Sequence, residues 1–331
     1  MRHLNSESGI IKLTYQVQQD SPAELNVTLN YIDFQNCVDR KMLVVNSANH
    51  EERNLAMENT KREKYEITID QRRFFGENGF LKIEGLLTDQ EIHELDEHSM
   101  NLAMNKLDYS KLDGVTPRNE GATPADMEDR FFRFIQFHRQ LEIHERFILH
   151  LRILDVLETL IGPDVMAMQS MLFLKPPKKA GQAYHQDSFY IKTAPDTLCG
   201  AWMAIDDCNE ENGCMYFVPG SHFHPIYQEV ALPESTEDFM ERLTEIVGVD
   251  ESSEVPAIAK AGDVIFFHGH LIHRSKQNRS TDRYRRAYVC HYANARSYTE
   301  WGGGNENHIL ARDSTHLPYA KPRFVDHQPL A

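Results

Sequence analysis

The chain has 331 residues, 41% hydrophobic and 26% charged, a globular balance that excludes a disordered or fibrous protein. Its 35 basic and 50 acidic residues give a net charge of −15, which argues against coating nucleic acid or an anionic membrane. No apolar run reaches the roughly 18–20 residues that span a bilayer, and Met1 to Ser8 lacks the apolar core of a signal peptide. A soluble, cytoplasmic protein is expected. The five cysteines, Cys37, Cys199, Cys208, Cys214 and Cys290, are irregularly spaced and read as buried thiols rather than a disulfide framework or zinc site. Histidine, at 17 residues, is the over-represented type.

In chain order, residues 10–17 and 25–31 alternate like strands. A polar stretch at 46–64 follows, a linker or a solvated helix. Residues 1–66 are therefore assigned to an N-terminal extension, a small β-rich appendage, and 67–331 to the main domain. There, 79–85 reads as a strand. Thr88-Asp89-Gln90-Glu91 matches a capping box that opens a helix with Ile92, Leu95 and Met100 toward the core. Residues 105–130 read as a long loop, a candidate lid. Helical periodicity runs from 134 to 161. After Gly162-Pro163, strands are expected at 166–174, 184–191, 201–206, 214–218, 263–267 and 286–293. An insertion at 222–257 carries an acidic segment of helical spacing at 234–245. Helices followed by many short strands predict an α+β domain with an antiparallel sandwich or barrel core.

The chemistry concentrates at Tyr184-His185-Gln186-Asp187. In an extended chain, His185 and Asp187 point to the same side. Together they supply two thirds of the two-His-one-carboxylate facial triad that holds non-haem Fe(II) and leaves positions open. His-x-Asp alone is a common pattern. A third ligand must come from elsewhere, and the run 267–275 offers His268, His270 and His273. Arg285 opens a later strand and is suited to a bidentate pair with a carboxylate. It is also one of a basic run with Arg279, Arg283 and Arg286. Ser275, two residues beyond His273, adds a hydroxyl on the same side. These residues describe a pocket for a metal and a dicarboxylate.

Four blocks carry a resemblance to the phytanoyl-CoA dioxygenase (PhyH) family of Fe(II)/2-oxoglutarate-dependent oxygenases, over residues 71–294. They are 79–88; 162–177; His185-Gln186-Asp187 with Trp202 and the segment 212–222; and 262–275 with Arg285. The resemblance implies a double-stranded β-helix (jelly-roll or cupin-like) core with flanking helices. It implies Fe(II) at His185, Asp187 and His273. It implies 2-oxoglutarate held by Arg285 and Ser275, with Gln169, Gln186 and Trp202, and more weakly Met171 and Lys175, lining its pocket. The spacing from His273 to Arg285 is one residue longer than the family pattern, so Arg286 competes with Arg285 as the carboxylate clamp.

The implied reaction uses O2 and 2-oxoglutarate to hydroxylate an unactivated C–H bond of a small organic substrate, releasing succinate and CO2. An Asp at 187, where related halogenases carry a small residue, favours hydroxylation. Tyr184, Phe189, Tyr190 and Lys192 are candidate substrate contacts. Lys175, Lys178 and Lys179 form either an anion contact or a solvated turn. Family members act on varied small molecules, and neither substrate nor oligomeric state is legible. The competing reading is a cupin-like protein that binds metal or ligand without 2-oxoglutarate or without turnover, in which Arg285 would have no task.

Overall fold

The computed structural model describes residues 14–21, 24–30, 63–103, 133–227, 230–231, 245–305 and 308–312. The chain divides into two compact units, Met1–Lys64 and Tyr65–Ala331. In the first, β1 (Thr14–Ser21) and β2 (Glu24–Asn30) pair antiparallel.

The second unit opens with α1 (Ile69–Asn78). Thr68 and Gln71 cap it reciprocally, and Gly79 closes it in the left-handed region at φ 82. β3 (Phe80–Ile83) leads to α2 (Asp89–Ala103). The expected capping box is formed there: Glu91 Oε2 accepts from Thr88 N at 2.7 Å, and Thr88 Oγ1 from Glu91 N at 3.3 Å. The stretch expected to be helical from 134 begins instead as the short strand β4 (Arg133–Ile135), paired with β5. Pairing that buries Phe134 overrides the local periodicity. Helices α3 (Glu142–Ile148) and α4 (Leu151–Ile161) follow.

The strand-rich half contains β5 (Val165–Lys175), β6 (Gln182–His185), the helical turn α5 (Asp187–Tyr190), β7 (Cys199–Ala204) and β8 (Met215–Phe217). It continues with β9 (Val230–Ala231), β10 (Glu245–Ile246), β11 (Val255–Ala257), β12 (Val264–His268), β13 (His273–Ser275), β14 (Arg285–Asn294) and β15 (Ile309–Leu310). The strand expected over 184–191 therefore stops at His185. The loop expected at 105–130 lies outside the described residues, as does all but the end of the acidic segment at 234–245. Among the described residues, no helix is long and apolar enough to cross a membrane.

Two antiparallel sheets make the core. The larger runs β15-β5-β14-β7-β12-β3, with β4 also on β5; the smaller runs β11-β8-β13-β6. This is an α+β fold with a double-stranded β-helix core. Side-chain parity on β14 sorts its two faces. Tyr288 and Tyr292 face the helices and donate their hydroxyls to the carbonyls of His144 and Ile148 in α3, at 3.0 and 2.9 Å. They join the helix-side core with Phe147, Leu154 and Leu157. Ala287 and Val289 face the other way and pack with Trp202, Phe217, Ile265 and Phe267 between the sheets.

Gly181 allows β6 to close on β13. A Cβ at this position would sit 1.7 Å from the Ser275 carbonyl oxygen, a backbone atom that cannot swing aside. Gly181→Ala is expected to cost about 3 kcal/mol, at the upper end for overpacking, read as a lowered urea midpoint. An unchanged midpoint would mean the two strands are not held at this separation.

Candidate active site

A cavity of about 270 Å³ opens between the two sheets. The smaller sheet contributes His185, from the end of β6, and His273, from the start of β13. The two are register partners, so their rings lie side by side with centroids 4.1 Å apart. Each ring is aimed the same way. His185 Nδ1 donates to the Ala183 carbonyl and His273 Nδ1 to the Leu271 carbonyl, both at 2.9 Å and both two residues upstream. Each Nε2 faces Asp187 Oδ1, at 3.6 Å for His185 and 3.8 Å for His273. The three ligand atoms lie within 4.8 Å of one another and could hold a metal ion.

Asp187 reaches this position from the first residue of α5, not from a strand. Its side chain and that of His185 converge as expected, through the turn rather than through strand parity. Burial alone would raise the Asp187 carboxyl, but the imidazoles of His291, His273 and His185 hold it well below the usual carboxylate range. Burial, followed by the neighbouring His273, pushes His185 down to about 3, so its ring is neutral and its lone pair free of a proton at neutral pH. Gln182 Nε2 donates to that lone pair at 2.9 Å, the contact a metal would replace. Two imidazoles and a carboxylate suit Fe(II). The loop carrying His273 is tied to α5: Ser188 N donates to the Gly269 carbonyl at 2.9 Å, and His270 pairs with Asp196. That pairing places His270 outside the triad. His268 also lies outside it, accepting from His270 N through Nδ1.

Arg285 enters the cavity from the larger sheet. It is buried, and its Nε donates to the Gly213 carbonyl at 3.2 Å. Burial pushes its guanidinium below the ordinary value, and no carboxylate is paired with it among the described residues. Arg286 turns to the opposite face of β14 and pairs with Asp206 at 2.6 Å and Asp96 at 2.5 Å. Of the two neighbours, Arg285 lines the cavity and Arg286 does not. Ser275 lines it too. Its Oγ accepts from Lys175 Nζ at 3.3 Å and from Gln182 N at 3.1 Å, so its own O–H remains to donate into the cavity. Lys175 is fully buried behind Arg285, its register partner, and donates also to the Lys276 carbonyl. It belongs neither to a solvated turn nor to an exposed anion contact.

Gln169, Met171 and Trp202 line the cavity, as does Tyr190, 39% exposed at its mouth. Gln186, Tyr184, Phe189 and Lys192, expected as contacts, do not line it, and neither does Lys175. Gln186 faces away between the two ligands; its amide donates to the His270 carbonyl at 2.8 Å and accepts from Tyr227 N at 2.9 Å. Tyr184 also faces away from the neighbouring His185, donating to Glu254 at 2.5 Å under the Arg274 guanidinium. Phe189 packs edge-on against Tyr190 outside the lining.

Sequence reasoning missed Arg133, Ile135, His291 and Trp301, all cavity-lining. Only His291 carried a signal, since residues 285, 287, 289 and 291 share one strand face.

The fold and the His-x-Asp…His site together define an iron- and 2-oxoglutarate-dependent oxygenase. Residues 75–287 match the model of the family described as phytanoyl-CoA dioxygenase (PhyH), and the chain belongs to that family. The peroxisomal phytanoyl-CoA dioxygenase of Bos taurus is 30% identical over 258 residues, 75% of each chain. That of Homo sapiens is 30% identical over 238 residues, 69% of each chain. Among solved structures, EctD from S. alaskensis with 2-oxoglutarate and 5-hydroxyectoine aligns with a TM-score of 0.54 at 22% identity, covering 72% of this chain and 80% of that one. The epimerase SnoN in complex with Fe3+, alpha ketoglutarate and nogalamycin RO aligns at 0.52 and 21% identity, covering 79% and 92%. These two likenesses bear on the fold.

Proposed function

We propose that the chain binds Fe(II) through His185, Asp187 and His273 and 2-oxoglutarate through Arg285 and Ser275, and hydroxylates an unactivated C–H bond of a small organic substrate. The observation that carries this reading is Arg285, a buried cation without an acid partner among the described residues, in the same cavity as the triad. A buried charge of this kind is costly unless a ligand completes it. A metal site working without a dicarboxylate would have no use for it.

With iron and 2-oxoglutarate bound, the chemistry supplied is oxidative decarboxylation to succinate and CO2, coupled to insertion of one atom of O2 into the C–H bond. The chain's own contribution is placement. His185 and His273 present Nε2 lone pairs already aimed by their backbone bonds. Asp187 supplies the negative charge. The Arg285 guanidinium and the Ser275 hydroxyl take the distal carboxylate. Met171, Trp202 and Phe267 wall the site against water. Ile135 and Tyr190, each about two-fifths exposed, stand with Trp301 where a substrate would enter.

The test is anaerobic titration with Fe(II) and then 2-oxoglutarate, following the visible metal-to-ligand charge-transfer absorption, with succinate release as the readout in air. The band is expected to appear only when both are present. Folded protein that binds iron but develops no band on adding 2-oxoglutarate would remove the cosubstrate and leave a metal-binding cupin-like protein.

A further inference from the structure

Asp187 divides its two oxygens between two tasks. Oδ1 faces the Nε2 atoms of His185 and His273, while Oδ2 lies 2.9 Å from His291 Nε2. A carboxylate can only accept, so the proton of this bond sits on His291 Nε2. His291 Nδ1 is buried and has no hydrogen-bond partner among the described residues. Among the described residues, the bond to Asp187 is therefore the only hydrogen bond of a ring that is 2% exposed. Such a ring is costly to bury as mere filling, where an apolar side chain would serve better.

Its setting keeps it in place. On β14, His291 pairs with Gln169 of β5 and Gly200 of β7. Gly200 carries no side chain, and a Cβ there would lie 2.3 Å from the Phe267 ring. The missing side chain lets Phe267 stand edge-on to His291, at 6.5 Å and 85°.

We propose that His291 is a positioning residue that ties up Asp187 Oδ2, so that the carboxylate offers the metal one oxygen rather than two. This rests on the iron and 2-oxoglutarate reading above. The coordination arithmetic shows what is at stake. Three protein ligands leave three of six positions open. A chelating 2-oxo acid takes two and O2 takes the third. A second carboxylate oxygen on the metal would remove one of the three and block either the chelate or O2.

The test uses metal-stripped full-length protein, cobalt(II) as the probe and two variants. His291→Phe keeps the shape and removes the donor. His291→Gln restores an N–H at about the position of Nε2. Wild type and His291→Gln are expected to bind cobalt within a few-fold of each other and to share a d–d spectrum. His291→Phe is expected to differ from both in band positions and intensity, because a released second carboxylate oxygen changes the coordination number, and to shift affinity by about 10- to 100-fold.

The proposal is overturned if folded His291→Phe matches wild type in both affinity and spectrum. It is also overturned if the Gln and Phe variants are equally impaired, which would make the ring a packing element. Should His291→Phe fail to fold, the Gln variant decides alone: a wild-type spectrum supports the donor role and a changed one overturns it. Wild-type protein that binds no cobalt would overturn the metal site itself, a failure distinct from these.

Discussion

Arg285→Ala is expected to raise the KM for 2-oxoglutarate by about 30-fold to several thousand-fold, with the folded state kept. The range follows from removing one partner of a buried charge pair, which costs about 2–5 kcal/mol at roughly 1.4 kcal/mol per tenfold. Stability should hold or rise, because the free chain loses a buried cation that no described carboxylate balances. The neighbouring Arg286→Ala is expected to do the opposite. Its guanidinium holds Asp206 and Asp96, and it also donates to Ser99 Oγ at 3.0 Å. Its loss should cost about 3 kcal/mol of stability with little change in the 2-oxoglutarate requirement. Succinate release against cosubstrate concentration, with urea unfolding of both variants, checks the pair. A large KM effect at Arg286 and none at Arg285 would move the clamp to the other face of β14.

Asp187→Ala should remove iron binding and with it turnover, by roughly 1000-fold or more, beyond the 10- to 100-fold typical of a change one shell out. The two imidazoles would remain aimed by the Ala183 and Leu271 carbonyls, but without the charge and the third ligand atom. The fold should persist, since Asp187 occupies a four-residue turn whose backbone bond to Ile191 N does not use the side chain. Metal analysis after anaerobic loading, beside circular dichroism, is the check. A variant that retains stoichiometric iron would show that Asp187 is not a ligand.

The core strands were legible because β5, β7, β12 and β14 are nearly continuous apolar runs buried on both faces, which local reading detects. Residue type and order narrowed the triad to His185, Asp187 and one of His268, His270 and His273, and the family resemblance pointed to His273. What could not be read locally depends on partners far along the chain. β4 exists because β5 is beside it. Lys175 looked like the start of a lysine-rich turn, yet Gly213, Ser275 and Lys276, about 40 to 100 residues away, supply acceptors that let it be buried. Tyr184 was expected as a substrate contact and Gln186, through the family resemblance, as part of the cosubstrate pocket. In an extended chain the immediate neighbours of an inward residue point outward, and Tyr184 and Gln186 on either side of His185 both do.

The cavity walls come from two different layers: the histidines stand on the smaller sheet, and Arg285 on the larger. A dicarboxylate reaching from the metal to Arg285 would act as a strut between the halves of the sandwich. Ligand at 100 times its dissociation constant adds about 2.7 kcal/mol to a folded state that alone binds it. Here that gain would fall on the seam where the sheets meet, not within either one. The two sheets would then be held apart at a fixed span by the cosubstrate itself, and its conversion to the shorter succinate would release that brace once per turnover.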